Sequence, residues 1–162
     1  MKKIAMLCDF FNEDLAYQEN ILYRYFTKRG FDCRIICCEQ NDLHSYYANQ
    51  KITNKKNNFY EKNKDIIRKK YFLKLGSLKL LSGIYEELEK YKPDYIYAHD
   101  INLSLIPVSL YKSRNPDIVM IADNHCDSSN SAKNIFSRIF AYRIVKNLVL
   151  KFTKKSIDKI YC

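Results

Sequence analysis

Short apolar segments alternate with amphipathic segments along this chain of 162 residues. The first, residues 3–8, predicts a strand that is buried on both faces, as in a parallel sheet. Between about Leu15 and Arg29 apolar side chains recur at helical spacing, and Gly30 stands where a left-handed helix end is needed. A second strand is predicted for residues 31–38. This part of the chain therefore forms a strand–helix–strand unit, and such units almost always have a right-handed crossover.

The same alternation continues through the rest of the sequence. Residues 39–64 are rich in Asn, Lys, Gln and Tyr and predict a long surface excursion. Further strands are predicted within 65–75 and at 94–98, 117–122 and 157–162, and helices at 77–91, 103–113 and 131–152. The predicted fold class is α/β, a Rossmann-like doubly wound and mostly parallel sheet with helices on both faces. We expect one domain, 1–162, that is the front part of a longer protein, because it ends in a strand-like run.

Composition supports a folded domain in a reducing compartment. A hydrophobic content of 47% over this length is enough for a core that needs no disulfide or metal. The apolar run at the start is too short for a signal peptide or a membrane span, so we expect a cytoplasmic protein. The 6 cysteines form no Cys-x-x-Cys pair and mostly lie in apolar runs, which favours buried free thiols.

The formal net charge of +10 is unevenly placed. Residues 51–79 carry +8 and residues 133–159 carry +7, whereas the rest of the chain is mildly acidic. Two basic segments suggest a partner that bears phosphate, such as an anionic lipid, a lipid-linked diphosphate or a nucleic acid. The alternative is an ordinary lysine-rich surface. No RNA- or DNA-binding motif is present, so no nucleic-acid partner is predicted.

Polar residues follow several of the predicted strands, at the edge where parallel sheets bind ligands. They are Asp9–Asn12, His99–Asp100 and Asp123–Asp127. His99 is expected either to contact a ligand or to be satisfied by a backbone carbonyl, and Asp100 either to bind or to cap a helix. For His125 the polar surroundings favour a functional role, whereas His44 is expected to be an ordinary surface residue.

Several classes of enzyme are disfavoured by what the sequence lacks. The last cluster contains enough N, O and S donors for Zn²⁺ or Mn²⁺, but its spacing matches no metal motif, so no metal site is predicted. The sequence contains no Gly-x-Gly-x-x-Gly, Walker, His-Glu-x-x-His or Gly-x-Ser-x-Gly motif. A self-sufficient dinucleotide or P-loop enzyme is therefore not expected.

The order of these segments resembles the N-terminal domain of family-4, GT-B-fold retaining glycosyltransferases. The resemblance covers the whole chain and implies transfer of a sugar from a nucleotide-sugar donor, which is a substrate, with no cofactor. This chain would form the acceptor side of the cleft and would be inactive alone, because the donor is held mainly by a C-terminal domain. The segments that carry the resemblance are Lys3–Cys8, Ala16–Asn20, Lys28–Cys33, Lys92–Asp100, Asp123–His125 and Ser156–Cys162.

The resemblance also implies roles for particular residues. His125 matches the strand-end histidine of the family, which faces the reacting centre, and is the predicted catalytic residue. Where the family has a glycine pair, this chain has Ala16-Tyr17, so we expect acceptor contacts rather than phosphate cradling there. The predicted substrate-binding residues are Tyr17, Gln18, Glu19, His99, Asp100 and Asn124.

The expected acceptor is a polysaccharide or a lipid-linked diphosphate at the inner face of the membrane. The basic, aromatic segments would suit an anionic membrane surface, which places the protein in the cytoplasm with peripheral attachment. A second hypothesis is a non-catalytic binding or scaffold subunit that pairs with a separate donor-binding chain.

Overall fold

The structure, a computed structural model, describes residues 1–40, 63–75, 78–124 and 146–161. Its strands are β1 (Lys3–Leu7), β2 (Asp32–Cys38), β3 (Ile66–Lys69), β4 (Tyr71–Leu75), β5 (Leu78–Leu81), β6 (Tyr95–His99), β7 (Val119–Asp123) and β8 (Lys159–Tyr161). Its helices are α1 (Gln18–Lys28), α2 (Ile84–Tyr91), α3 (Leu105–Arg114) and α4 (Lys146–Thr153), and a 3₁₀ turn, Lys154–Ser156, follows α4.

Six of the strands form one parallel sheet in the order β3-β2-β1-β6-β7-β8. The chain first builds outward from β1 through β2 to β3, and then returns to place β6 on the other side of β1. This is the strand order of dinucleotide-binding α/β folds, in which the order reverses beside the first strand. The predicted Rossmann-like α/β class is confirmed.

Helices cover both faces of the sheet because successive side chains of a buried strand point to opposite sides. From β1, Ile4 and Met6 point to the face that packs against α1. Ala5 and Leu7 belong to the larger core on the other face, where side chains of α2, α3 and α4 are buried. The two cores lie on opposite faces of the sheet, so the interior strands bury apolar side chains on both sides, as their sequences predict.

A buried lysine joins β7 to the segment before β8. The Lys112 ammonium donates to the backbone oxygen of Ile118 at 2.6 Å and forms an ion pair with Asp158. The same carboxylate accepts a 2.7 Å hydrogen bond from the backbone N–H of Met120. These contacts hold the short edge strand β8 in register beside β7.

The largest difference from the sequence prediction lies between residues 71 and 83. Here β4 and β5 pair as an antiparallel hairpin outside the main sheet. The predicted helix at 77–91 is therefore wrong over its front half, and α2 starts only after Gly83, whose φ of 66° is left-handed. Leu80 and Leu81 have helical spacing to the apolar residues of α2, but tertiary pairing places them in a strand.

Other boundaries differ by a few residues. Helix α1 begins at Gln18 rather than near Leu15, because the backbone N–H of Leu15 bonds to Asn12 in a turn before the helix. The excursion at 39–64 and the helix at 131–152 lie largely outside the described residues, apart from α4. Within the described ranges, no helix is long and apolar enough to cross a membrane.

Candidate functional site

Of the polar residues predicted after the strands, His99, Asp100 and Asp123 meet beside the point where the strand order reverses. Strands β6 and β7 are parallel neighbours, and their register pairs His99 with Asp123 at the carboxyl end of each strand. Loops and helix N-termini converge at this edge, which is where open α/β sheets bind ligands. The candidate site is the cluster of Gln18, Glu19, Tyr97, His99, Asp100 and Asp123, called the switch-point cluster below.

The carboxylate of Asp123 is the centre of this cluster, although only 2% of the residue is exposed. One of its oxygens accepts hydrogen bonds from the Tyr97 hydroxyl and, at 3.0 Å, from Nδ1 of His99. The other accepts the backbone N–H of Asp100 at 3.0 Å. An ionised carboxylate is only an acceptor, so His99 carries a proton on Nδ1 in this arrangement. These donors offset the cost of burying the charge.

Helix α1 contributes two side chains from its first turn. Glu19 is buried, and its Oε2 lies 3.7 Å from Nε2 of His99. Nε2 of Gln18 lies 3.4 Å from the Tyr97 hydroxyl and 3.5 Å from the Asp123 carboxylate. The imidazole of His99 is therefore held between two buried carboxylates, one on each of its ring nitrogens.

The contacts within the cluster shift the pKa values of His99, Asp123 and Tyr97. Burial alone would lower the pKa of His99, but the hydrogen bond and the charge of Asp123, together with the charges of Glu19 and Asp100, raise it above 6.5. Burial likewise opposes ionisation of Asp123, yet the hydrogen bonds from His99, Tyr97 and the Asp100 backbone lower its pKa to about 2. Burial and the adjacent Asp123 raise the pKa of Tyr97 well above 10.0, so its hydroxyl stays protonated and donates.

Asp100 shapes the turn that follows β6. Its backbone adopts a left-handed φ of 70°, a region that Asp visits more readily than most residues. Its side chain accepts the N–H of Ile101 at 2.8 Å, while Asn102 accepts the N–H of Ser104 at 2.9 Å. Helix α3 starts at Leu105, so Asp100 does not cap it and instead holds the strand-to-helix turn in shape.

The hairpin β4–β5 closes the other half of the same edge. Asp9, two residues after the end of β1, accepts a 2.7 Å hydrogen bond from the Tyr71 hydroxyl and forms an ion pair with Lys79. Arg68, on β3, donates to the backbone oxygens of Phe11 at 3.1 Å and of Cys38 at 3.2 Å. The carboxyl edge therefore has a basic, hairpin-covered half beside β1–β3 and an acidic half at the switch-point cluster.

The remaining predicted residues occupy different positions. Tyr17 is at the N-cap of α1 and is 44% exposed, at the rim of the cluster rather than within it. Asn124 continues the β7–β8 pairing, since its backbone N–H bonds to Tyr161 at 2.9 Å. The predicted catalytic His125 lies outside the described residues. The cluster thus brings together Gln18, Glu19, His99 and Asp100, with Tyr17 and Asn124 beside it.

Tyr97 and Asp123 were not among the predicted binding residues, although Asp123 had been placed at a strand end. Both carry a signal in the sequence. Tyr97 is two residues before His99 on one strand, and such residues share a face of the sheet. Asp123 ends the next parallel strand, as His99 ends β6.

No metal or disulfide chemistry is indicated in the described part of the chain. Among the residues described, no group of three or more His, Cys, Asp and Glu side chains is arranged to hold a metal ion. Cys8, Cys33, Cys37 and Cys38 are buried free thiols, which confirms that prediction for these four. Burial raises the pKa of Cys33 and of Cys37 to about 12.

No protein-family model matches the sequence, and no curated protein matches it. Several solved structures resemble its fold, and two of them are compared with it below. One is the UDP-GlcNAc 2-epimerase of Methanocaldococcus jannaschii, 14% identical with a TM-score of 0.48 over 100% of this chain and 39% of that one. The other is MnaA of S. aureus in a co-structure with UDP, 16% identical with a TM-score of 0.44 over 94% of this chain and 36% of that one. The chain thus spans less than two fifths of the length of either protein. The resemblance of its sequence to family-4 glycosyltransferases stays a prediction.

Proposed function

We propose that this chain is the acceptor-side half of a retaining glycosyltransferase that uses a nucleotide-sugar donor. The observation that carries the proposal is the switch-point cluster, in which His99 is held between Asp123 and Glu19 at the carboxyl edge of the sheet. It combines with the sequence resemblance to family-4 enzymes. The donor would be held by a C-terminal half, and the acceptor would be a polysaccharide or a lipid-linked diphosphate.

The protonation of His99 decides what this residue contributes. A histidine whose pKa is raised stays protonated to a higher pH than usual, and a protonated imidazole has no lone pair to accept a proton. With Asp123 on Nδ1 and Glu19 beside Nε2, His99 is suited to orienting the polar groups of the site. We assign it, with Asp100 and the α1 residues Gln18 and Glu19, to binding the acceptor.

Catalysis is assigned to His125, which follows the end of β7 by two residues in the sequence. Its strand-end position is the one that faces the reacting centre in the family that the chain resembles. Tyr17 and Asn124, beside the cluster, are assigned to the rim of the acceptor site. Aromatic and amide side chains suit the faces and hydroxyl groups of sugars, which need both apolar contact and hydrogen bonds.

The basic hairpin half of the edge gives the acceptor proposal its electrostatic support. Lys70 is exposed and Lys74 is half-buried, on or beside the hairpin that covers β1–β3, whereas the charge of Lys79 there is paired with Asp9. A diphosphate or an anionic membrane surface near this half would be attracted by their charge. We therefore place the protein in the cytoplasm, at the inner face of the membrane.

The test is the release of nucleoside diphosphate from nucleotide-sugar donors by the full-length protein with lipid-linked or polysaccharide acceptors. We expect His125→Ala to lower kcat at least about a hundredfold, the range of lost acid–base or electrostatic catalysis, with unchanged folding. His99→Gln should mainly raise the KM for the acceptor. The matched control is His44→Ala, which should leave turnover unchanged.

Three results would overturn parts of this proposal. Near-normal turnover of His125→Ala would remove the catalytic assignment. An unchanged acceptor KM in His99→Gln would remove the binding role of the cluster. Activity that appears only when a separate donor-binding polypeptide is added would establish the scaffold-subunit hypothesis instead.

A further inference from the structure

The outward face of α1 carries a row of large apolar side chains. Tyr17 is 44% exposed, Ile21 59% and Tyr25 50%. They are spaced four residues apart, so they form one ridge along the helix. The opposite face of α1 already packs against the sheet through Leu22, Tyr23 and Phe26. The Tyr25 ring also makes an edge-on contact with Phe26 and lies under the Arg29 guanidinium, both within α1 and its C-terminal end, so the ridge stays exposed in the described part of the fold.

Charged residues flank this ridge with opposite signs at its two ends. Glu13 and Asp14 lie exposed just before the N-terminal end, and Lys28 and Arg29 lie exposed at the C-terminal end. The backbone oxygen of Glu13 accepts a 3.0 Å hydrogen bond from Arg24, which ties the acidic turn to the helix. Going along the helix, the surface is acidic before the ridge, apolar around Ile21 and basic after it, with Arg24 as one cation at the acidic turn.

We propose that α1 mediates a homodimer in which the helices of two copies pack antiparallel across a two-fold axis. In that arrangement Ile21 meets Ile21 of the second copy, and Tyr17 meets Tyr25 of the second copy. The acidic turn of each copy then faces the basic end of the other. Ridges spaced four residues apart interdigitate at a crossing angle of roughly −50°, the commonest class of helix packing.

The second copy is the occupant because this surface complements itself. Across a two-fold axis the same patch faces itself in the opposite direction, so one end of the ridge must complement the other end. Here the acidic turn before the ridge faces the basic residues after it in the second copy. The contact is small and each copy carries a net charge of +10, so we expect a weak, concentration-dependent dimer. The proposal does not depend on the proposed sugar transfer, although Tyr17 would bring Tyr25 of the second copy to the rim of the switch-point cluster.

The test is sedimentation equilibrium of the whole chain from about 10 µM to about 1 mM, a range chosen for a weak complex. We expect the mass to rise from the monomer value of 19.3 kDa towards twice that value. Ile21→Glu should keep the protein monomeric over this range. The matched control is Leu110→Glu, because Leu110 is 49% exposed on α3, away from this ridge.

Charge reversal tests the pairing itself. Lys28→Glu with Arg29→Glu should weaken the dimer at least about tenfold, and adding Glu13→Lys with Asp14→Lys should restore it, because the ends are again opposite. Ile21→Cys should form a disulfide-linked dimer on mild oxidation, whereas Leu110→Cys should not. A protein that stays monomeric throughout would overturn the proposal. So would a dimer that is lost in Leu110→Glu and kept in Ile21→Glu, or one that charge reversal leaves unchanged.

Discussion

The substitution Asp123→Asn tests the electrostatics of the switch-point cluster, because it keeps the size of the side chain and removes its charge. The hydroxyl of Tyr97, Nδ1 of His99 and the backbone N–H of Asp100 all donate to this carboxylate. They hold its pKa at about 2, against 3.8 for an ordinary Asp. At about 1.4 kcal/mol for each tenfold change in proton affinity, the charge contributes about 2 kcal/mol to the free energy of unfolding.

The pH dependence gives this prediction its sign. Because the pKa of Asp123 is lowered by folding, its contribution is present above pH 3.8 and is lost as the pH falls through about 2. The pKa of His99 is raised by folding, so its contribution is present below pH 6.5 and is lost as the pH rises through its folded value. The native protein should therefore exceed Asp123→Asn in stability most strongly between these two limits.

The assay is urea unfolding of both proteins across the pH range. Unfolding is monitored by far-UV circular dichroism, since the chain has no Trp whose fluorescence could report it. Between about pH 4 and pH 6 we expect Asp123→Asn to be less stable by about 2 kcal/mol. An NMR titration should also show a lower pKa for His99 in the variant, because its closest carboxylate has lost its charge.

The control is Asp117→Asn, at an exposed position that should change stability little. A stability difference that is constant from pH 2 to pH 9 would refute the electrostatic argument and indicate a packing defect instead. An unchanged pKa of His99 in Asp123→Asn would show that the pair does not interact as the geometry requires.

Two further predictions concern the core. At pH 8, a thiol reagent such as dithiobisnitrobenzoate should not react with the four buried cysteines of the native protein, because burial raises their pKa. It should react with them only after unfolding, and a fast reaction in the native protein would contradict this. They are Cys8, Cys33, Cys37 and Cys38. Lys112→Met should lower the free energy of unfolding by about 2 kcal/mol through loss of the charged hydrogen bonds to Ile118 and Asp158. Lys151→Met, at an exposed position of α4, is its control, and equal effects would contradict the assignment.

The fold was predictable where local pattern and tertiary environment agree. The continuous apolar runs of β1 and β2 are buried on both faces, and Gly30 takes the left-handed φ of 82° that ends α1. The hairpin was not predictable in the same way. Leu80 and Leu81 fit a helical pattern continuing into α2, and only pairing with β4 decides that they form a strand.

The candidate site was predictable in its place and only partly in its members. Strand ends can be located from the sequence, and they place His99, Asp100 and the end of β7 at one edge. Which strands are neighbours depends on the order of the sheet, and β6 lies between β1 and β7 only because the order reverses there. The partnership of His99 with Asp123 follows from that adjacency, and so does the contribution of Glu19 from α1.

The two halves of the carboxyl edge differ in charge, and that difference bears on the proposed acceptor. Beside β1, the charge of Asp9 is compensated by Lys79, and the hairpin adds further lysines. Beside β6, two buried carboxylates enclose a single imidazole, which leaves an acidic surrounding suited to hydroxyl and amide donors. A ligand with both a hydroxyl-rich end and an anionic end would match the two halves, whereas a uniformly anionic polymer would be repelled by one of them. The proposed acceptor, a glycan linked to a diphosphate, has this asymmetry, and a nucleic acid does not.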